Sequence, residues 1–183
     1  MSHYRRANLS GGYYFFTVVT YQRHKILVGE LARKHLRRTF EKVRSTRYFE
    51  TIAFCLLPEH LHCIWRLPDD DSDFSTRWSL IKKDFTVNYL KTGGAELTQT
   101  NSRSKHRHRG VWQRRFCEHQ IRDERDLQHH VDYIHYNPVK HGLFKNIDNW
   151  PWSTYHKYIK SGRYGRIDLE KMQKSIGDIF AGE

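Results

Sequence analysis

Three cysteines in 183 residues are too few and too scattered for a disulfide framework. Cys55, Cys63 and Cys117 show no CxxC spacing and read as reduced, half-buried strand residues. Long apolar runs are missing too. The longest uncharged stretch, which ends at Gln22, falls short of the roughly 20 apolar residues of a membrane-spanning helix, so no membrane partner is expected. Arg5 and Arg6 are not followed by an apolar core with a small-residue cleavage site, which argues against a secretory signal. Acidic residues are scarce: 20 Asp+Glu face 32 Lys+Arg, a formal net charge of +12. The chain is nevertheless 38% hydrophobic and 14% aromatic, too rich in core-forming side chains to be disordered. A single domain, alone or with a tail, is expected, and no internal repeat is visible.

What is present points to a polyanion. A strongly basic surface is the electrostatic footprint of nucleic-acid binding. Thirteen histidines add metal ligands and proton carriers that charge alone does not explain.

Residues 13–20 form a near-continuous aromatic and β-branched run, the pattern of a buried strand. Ala32, Leu36, Phe40 and Val43 recur at helical spacing, predicting an amphipathic helix over 30–44. Strands are expected at 49–57 and 60–67, joined tightly at Pro58-Glu59. Asp69, Asp70, Asp71 and Asp73 follow. Four carboxylates raise the thought of magnesium, but nothing spaces them for convergent ligation, and acids suit the start of the next helix. That helix carries Trp78, Ile81 and Phe85 and fades near Gly93. Residues 93–110 lack periodicity and read as a mobile basic loop. Strand character returns over 111–121, a helix is expected over 123–137, and a last amphipathic helix carries Leu169, Met172, Ile176 and Ile179. The order implies an α+β chain. It has a ferredoxin-like β-α-β-β-α-β core, an antiparallel sheet with helices, followed by a further helix and a C-terminal tail. The expected domain spans 1–158 and the tail 159–183.

His60-Leu61-His62 is the sharpest local feature. On a strand, both imidazoles point to one face and can reach one cation. Two unrelated polar residues at a hairpin rim would look the same. His106 and His108 repeat the spacing inside the basic loop, where holding two ligands costs chain entropy; phosphate contact suits them better. In the later helix, Tyr133 and Asn137 are four apart and share a face. A tyrosine hydroxyl can act as a covalent nucleophile, and an amide oxygen can ligate a metal. Tyr133 also reads as an ordinary core residue, and Asn137 before Pro138 as an N-cap.

The chain resembles the REP-associated tyrosine transposases, relatives of the single-tyrosine transposases of the HUH (His–hydrophobe–His) superfamily. The resemblance rests on Tyr4-Arg5-Arg6, Leu57-Pro58-Glu59-His60-Leu61-His62, Arg77-Trp78 with Ile81-Lys82-Lys83, Val111-Trp112-Gln113 with Arg115-Phe116, and His130-Val131-Asp132-Tyr133-Ile134 through Asn137-Pro138-Val139-Lys140-His141-Gly142. It implies His60, His62 and Asn137 as metal ligands, Tyr133 as nucleophile, and magnesium or manganese as the divalent cofactor. It implies a single-stranded DNA endonuclease and strand transferase that acts at REP hairpins through a 5′-phosphotyrosine, with no nucleotide cofactor. Such a protein would work in the cytoplasm at the nucleoid, as a monomer or homodimer. Tyr4, Arg5, Arg6, Arg77, Lys82, Lys83, Arg114 and Arg115 are the expected DNA contacts, and His129, His130 and His135 are candidate proton carriers. The 93–110 segment is longer and more basic than the family pattern, and the chain beyond 165 matches nothing in it. A non-catalytic hairpin-binding module and a replication- or transfer-type HUH nickase are the alternatives.

Overall fold

The computed structural model describes residues 11–106 and 108–164. Tyr4, Arg5, Arg6 and the expected tail helix lie outside the described residues. Four strands form the sheet: β1 (Tyr13–Val19), β2 (Glu50–Leu56), β3 (His60–Arg66) and β4 (Cys117–Gln120). Their spatial order is β2-β3-β1-β4, with every neighbouring pair antiparallel. This is the expected ferredoxin-like core. The last strand is much shorter than its sequence pattern suggested, because the chain at Trp112 touches the sheet only through a single bridge to Thr20.

The sheet's two-residue period sorts its side chains between two cores. Tyr14, Phe16, Val18, Leu61, Cys63 and Trp65 face α1 (Glu30–Thr46) and α2 (Phe74–Lys91). There Trp65 stacks between Phe49 and Trp78, with ring centroids 4.0 and 4.4 Å away. Phe15, Ala53, Cys55 and Ile64 face the other way, toward Val131, Tyr133 and Ile134, and that core is extended by Trp150, Tyr155 and Tyr158. No helix among the described residues is long and apolar enough to cross a membrane. The cysteines are free, Cys55 and Cys63 buried and Cys117 exposed, each on a strand.

The acidic run behaves as a helix start. Asp73 caps α2 by accepting from the Thr76 amide, and Asp71 holds Arg77 in a two-pronged ion pair. The 93–110 segment, expected to be a mobile basic loop, holds a short element of its own. It contains α3 (Asn101–Lys105), capped by Thr100, and is closed by the Glu96–Arg109 ion pair and by backbone bonding between Leu97 and Gly110. Polar capping builds this segment, so it carries no apolar periodicity to read.

The helix expected over 123–137 is α4 (Glu124–Lys140), with Asp123 as its N-cap. It passes through Pro138, so Asn137 lies inside its last turn and is not the cap of a new helix. A short α5 (Tyr155–Lys160) follows.

Candidate active site

β3 points His60 and His62 at the face covered by α4. Both are buried, their rings 4.8 Å apart. Each ring has its Nδ1 engaged: His60 with Glu59 Oε1 at 3.1 Å, His62 with the cross-strand Thr17 hydroxyl at 2.9 Å. Such partners fix a ligating imidazole's tautomer and orientation, leaving Nε2 to present its lone pair. The Nε2 of His62 is buried and has no hydrogen-bond partner. Burial pushes the His62 pKa well below the usual histidine range, reinforced by the charges of His60, His141 and Lys140. Burial also lowers that of His60, against the pull of Glu59. Both shifts favour the neutral ring that ligation needs.

α4 brings the partners. Tyr133 and Asn137 are both fully buried. The Tyr133 ring lies 5.2 Å from that of His62 and edge-on to Phe15. Neither polar atom of the Asn137 side chain makes a hydrogen bond. Orphaned buried polar atoms are rare because each costs on the order of 1–3 kcal/mol. Finding them on Asn137 and on His62, beside a tyrosine, fits a donor set for a divalent cation, with His60, His62 and Asn137 as the groups that would hold it. Lys140, two turns on from Tyr133, sets its Nζ 3.4 Å from the phenol oxygen and lies 4.8 Å over the ring. Sequence reasoning passed over Lys140, although a spacing of seven on one helix was the available signal.

A second cluster was also missed. His119 on β4 and Asp126 and His130 on α4 bring three ligand atoms within 4.8 Å of one another. The group could hold a metal ion, but its carboxylate is already engaged. Asp126 accepts from His119 at 2.9 Å and from the Arg122 backbone and side chain. Despite burial, these bonds hold its pKa down to about 2. The cluster ties β4 to the first turns of α4, and His130 packs against Phe15, 4.8 Å between centroids.

Of the candidate proton carriers, His130 shares the Phe15 ring with Tyr133. His130 bonds to Asp126, and His135 faces Thr154 and Tyr164. Among the expected DNA contacts, Arg77 is a correction. It is only 1% exposed, and its guanidinium is committed to Asp71 and to the carbonyls of Arg47, Tyr48 and Asp73. All five of its N–H donors are taken, so none is left for a phosphate. Lys83, Arg114 and Arg115 are exposed, and Lys82 is half-buried.

The fold and this arrangement define a class. The family model described as "Transposase IS200 like" matches residues 8–137. A REP-associated tyrosine transposase of Escherichia coli K12 is 44% identical over the whole of this chain and 98% of its own length. A Haemophilus influenzae protein provisionally given the same name is 41% identical over 98% of this chain and all of its own. A solved REP-associated tyrosine transposase bound to a REP hairpin superposes with a TM-score of 0.77 at 41% identity, covering 100% of this chain and 98% of the other. The chain therefore belongs to the REP-associated tyrosine transposases of the IS200-like family.

Proposed function

We propose that this chain is a metal-dependent single-stranded DNA endonuclease and strand transferase acting at REP-type hairpins. The observation that carries the reading is the pairing of orphaned ligand atoms, His62 Nε2 and the Asn137 amide, with a tyrosine one helical turn from that amide. The full-length likeness to a protein solved with a REP hairpin supports the substrate.

In this reading His60, His62 and Asn137 hold a divalent ion, magnesium or manganese. When bound, it supplies Lewis-acid polarisation of a non-bridging oxygen of the scissile phosphate. Glu59 and Thr17 keep the imidazoles aimed. The Tyr133 oxygen attacks phosphorus in line. The phenol gives its proton to solvent, a Tyr133 O–P bond forms, the P–O3′ bond breaks, and the 3′ oxygen leaves as a hydroxyl after taking up a proton from solvent. A phenol with a reference pKa of about 10 is a poor nucleophile at neutral pH. Lys140 Nζ donates to the phenol oxygen at 3.4 Å. One ester replaces another, so no nucleotide cofactor is needed and the strand can be rejoined by reversal. Work on chromosomal DNA puts the protein in the cytoplasm, at the nucleoid. Lys82, Lys83, Arg114 and Arg115 supply phosphate contacts, with Tyr4, Arg5 and Arg6 as further contacts.

A denaturing gel of the protein with end-labelled hairpins carrying single-stranded flanks tests this. A covalent adduct is expected with magnesium or manganese and absent with chelator or with Tyr133→Phe. An adduct that survives Tyr133→Phe would overturn the assignment. Tight, hairpin-selective binding with no adduct at all would favour a non-catalytic module.

A further inference from the structure

The His119–Asp126–His130 cluster takes no part in the reaction described above. β4 pairs His119 with Phe15 on β1, and residues directly opposite share a face, so this imidazole is turned toward α4. Asp126 and His130 are four apart in the first turns of that helix and lie on one side of it. The carboxylate sits between two ring nitrogens. Its Oδ2 is 2.9 Å from His119 Nε2, and its Oδ1 is 3.0 Å from His130 Nδ1. The two rings lie nearly parallel, 12° between planes and 4.6 Å between centroids. Elements far apart in the chain thus bring two imidazoles and one carboxylate to a single point.

The hydrogen bond from His119 to Asp126 is one proton held between two ligands, and a cation can take that proton's place. Arg122 reaches the same carboxylate oxygen from solvent; its exposed side chain can swing out while its backbone amide stays bonded. Against burial, its hydrogen bonds hold the Asp126 carboxyl at about 2, and burial lowers the His130 pKa, so both groups favour their ligating forms. His119 is half-exposed and gives a metal its entry path. Two imidazoles and a carboxylate are a set that zinc accepts, with water as fourth ligand. Magnesium, which prefers oxygen, and manganese, weakest in the affinity order of the first-row divalent metals, are disfavoured.

We propose that His119, Asp126 and His130 form a second metal site, for zinc, which ties β4 to the helix carrying Tyr133. The site is distinct from the His60–His62 pair. The Phe15 ring stands between them, its centroid 4.8 Å from that of His130 and 5.5 Å from that of His62. β4 is a four-residue edge strand paired with β1 alone, so a cross-link to α4 fastens it from its second side. The role is structural, and the inference does not rest on the strand-transfer reading. His119→Gln is the variant to test, because an amide still donates to Asp126 but is a poor zinc ligand. Zinc chloride is titrated by equilibrium dialysis, with bound metal counted by mass spectrometry. A His60→Gln/His62→Gln protein should still bind zinc. Adding His119→Gln should weaken that binding by more than the ~10–100-fold that changes outside the ligand shell cost. Zinc should also raise the wild-type melting temperature and slow amide exchange in β4, and do less of both in His119→Gln. Equal zinc affinity with and without His119→Gln would overturn the proposal and leave the cluster a hydrogen-bonded strut. If the histidine-pair variant does not fold, imidazole NMR of the wild type decides. Zinc must shift the ring signals of His119 and His130, and unmoved rings overturn the site equally. No arm reads strand transfer, so failure of adduct formation counts against that reading alone.

Discussion

At the scale of single residues, burial separates the roles of like side chains. Asn137 is buried with nothing to bond, a state the fold tolerates at a cost on the order of 1–3 kcal/mol per orphaned group. Asn137→Leu should therefore raise the metal-free melting temperature by a few degrees while abolishing adduct formation. Manganese in large excess should stabilise the wild type by RT ln(1 + [L]/Kd), about 2.7 kcal/mol at a hundredfold excess over Kd, and should not stabilise the variant. Differential scanning fluorimetry with and without metal reads both effects. Arg77 is the opposite case. Its charge is buried and fully bonded, and removing one member of such a pair leaves the other uncompensated. Arg77→Met should cost about 3–5 kcal/mol in chemical denaturation, with the hairpin affinity of the folded protein unchanged. A selective loss of DNA affinity with normal stability would restore Arg77 as a contact. Sequence alone offered Arg77 and Lys82 as equivalent basic residues. Only the chain's return at Asp71 and Arg47 tells them apart.

At the scale of elements, α4 does two jobs along its length. Its middle carries Tyr133 toward the histidines, while His135 anchors the C-terminal segment. His135 bonds through Nε2 to Thr154 and through Nδ1 to Tyr164, and its ring is edged by Tyr155 and Tyr158. Burial first, then the charge of His156, lowers its pKa to about 3. The unfolded chain, near 6.5, binds a proton over that interval which the folded chain refuses. Stability is thus complete above about 6.5 and falls as pH drops toward 3, by up to ~1.4 kcal/mol per unit from this group. Denaturation followed from pH 7 to 4 should show that slope, and His135→Leu should flatten it. The spacing of Tyr133 and Asn137, and the His-x-His on a strand, were legible because local periodicity sets which side chains share a face. The Thr17–His62 bond was not, since it depends on the register between β1 and β3. The capped α3 was not, for want of any apolar repeat.

At the scale of the whole molecule, strand order followed from the alternation of elements, and the two faces from the two-residue period of β1. Tyr14, Phe16 and Val18 pack the structural side, whereas Phe15 and Thr17 back the site. Truncating Trp78 should accordingly destabilise the α1/α2 side by about 3–5 kcal/mol, measured by urea unfolding, and leave adduct yield per folded molecule intact. The site itself draws two parts from the sheet and two from one helix. The proposed nucleophile and the proposed third ligand are thus carried on a single rigid lever. If two molecules ever trade this helix, they trade both groups together. Chains lacking only Tyr133 and chains lacking only Asn137 would then never rescue each other when mixed. Chains lacking Tyr133 mixed with chains lacking His62 would regain one whole centre in each mixed pair, which makes complementation a direct reporter of helix exchange.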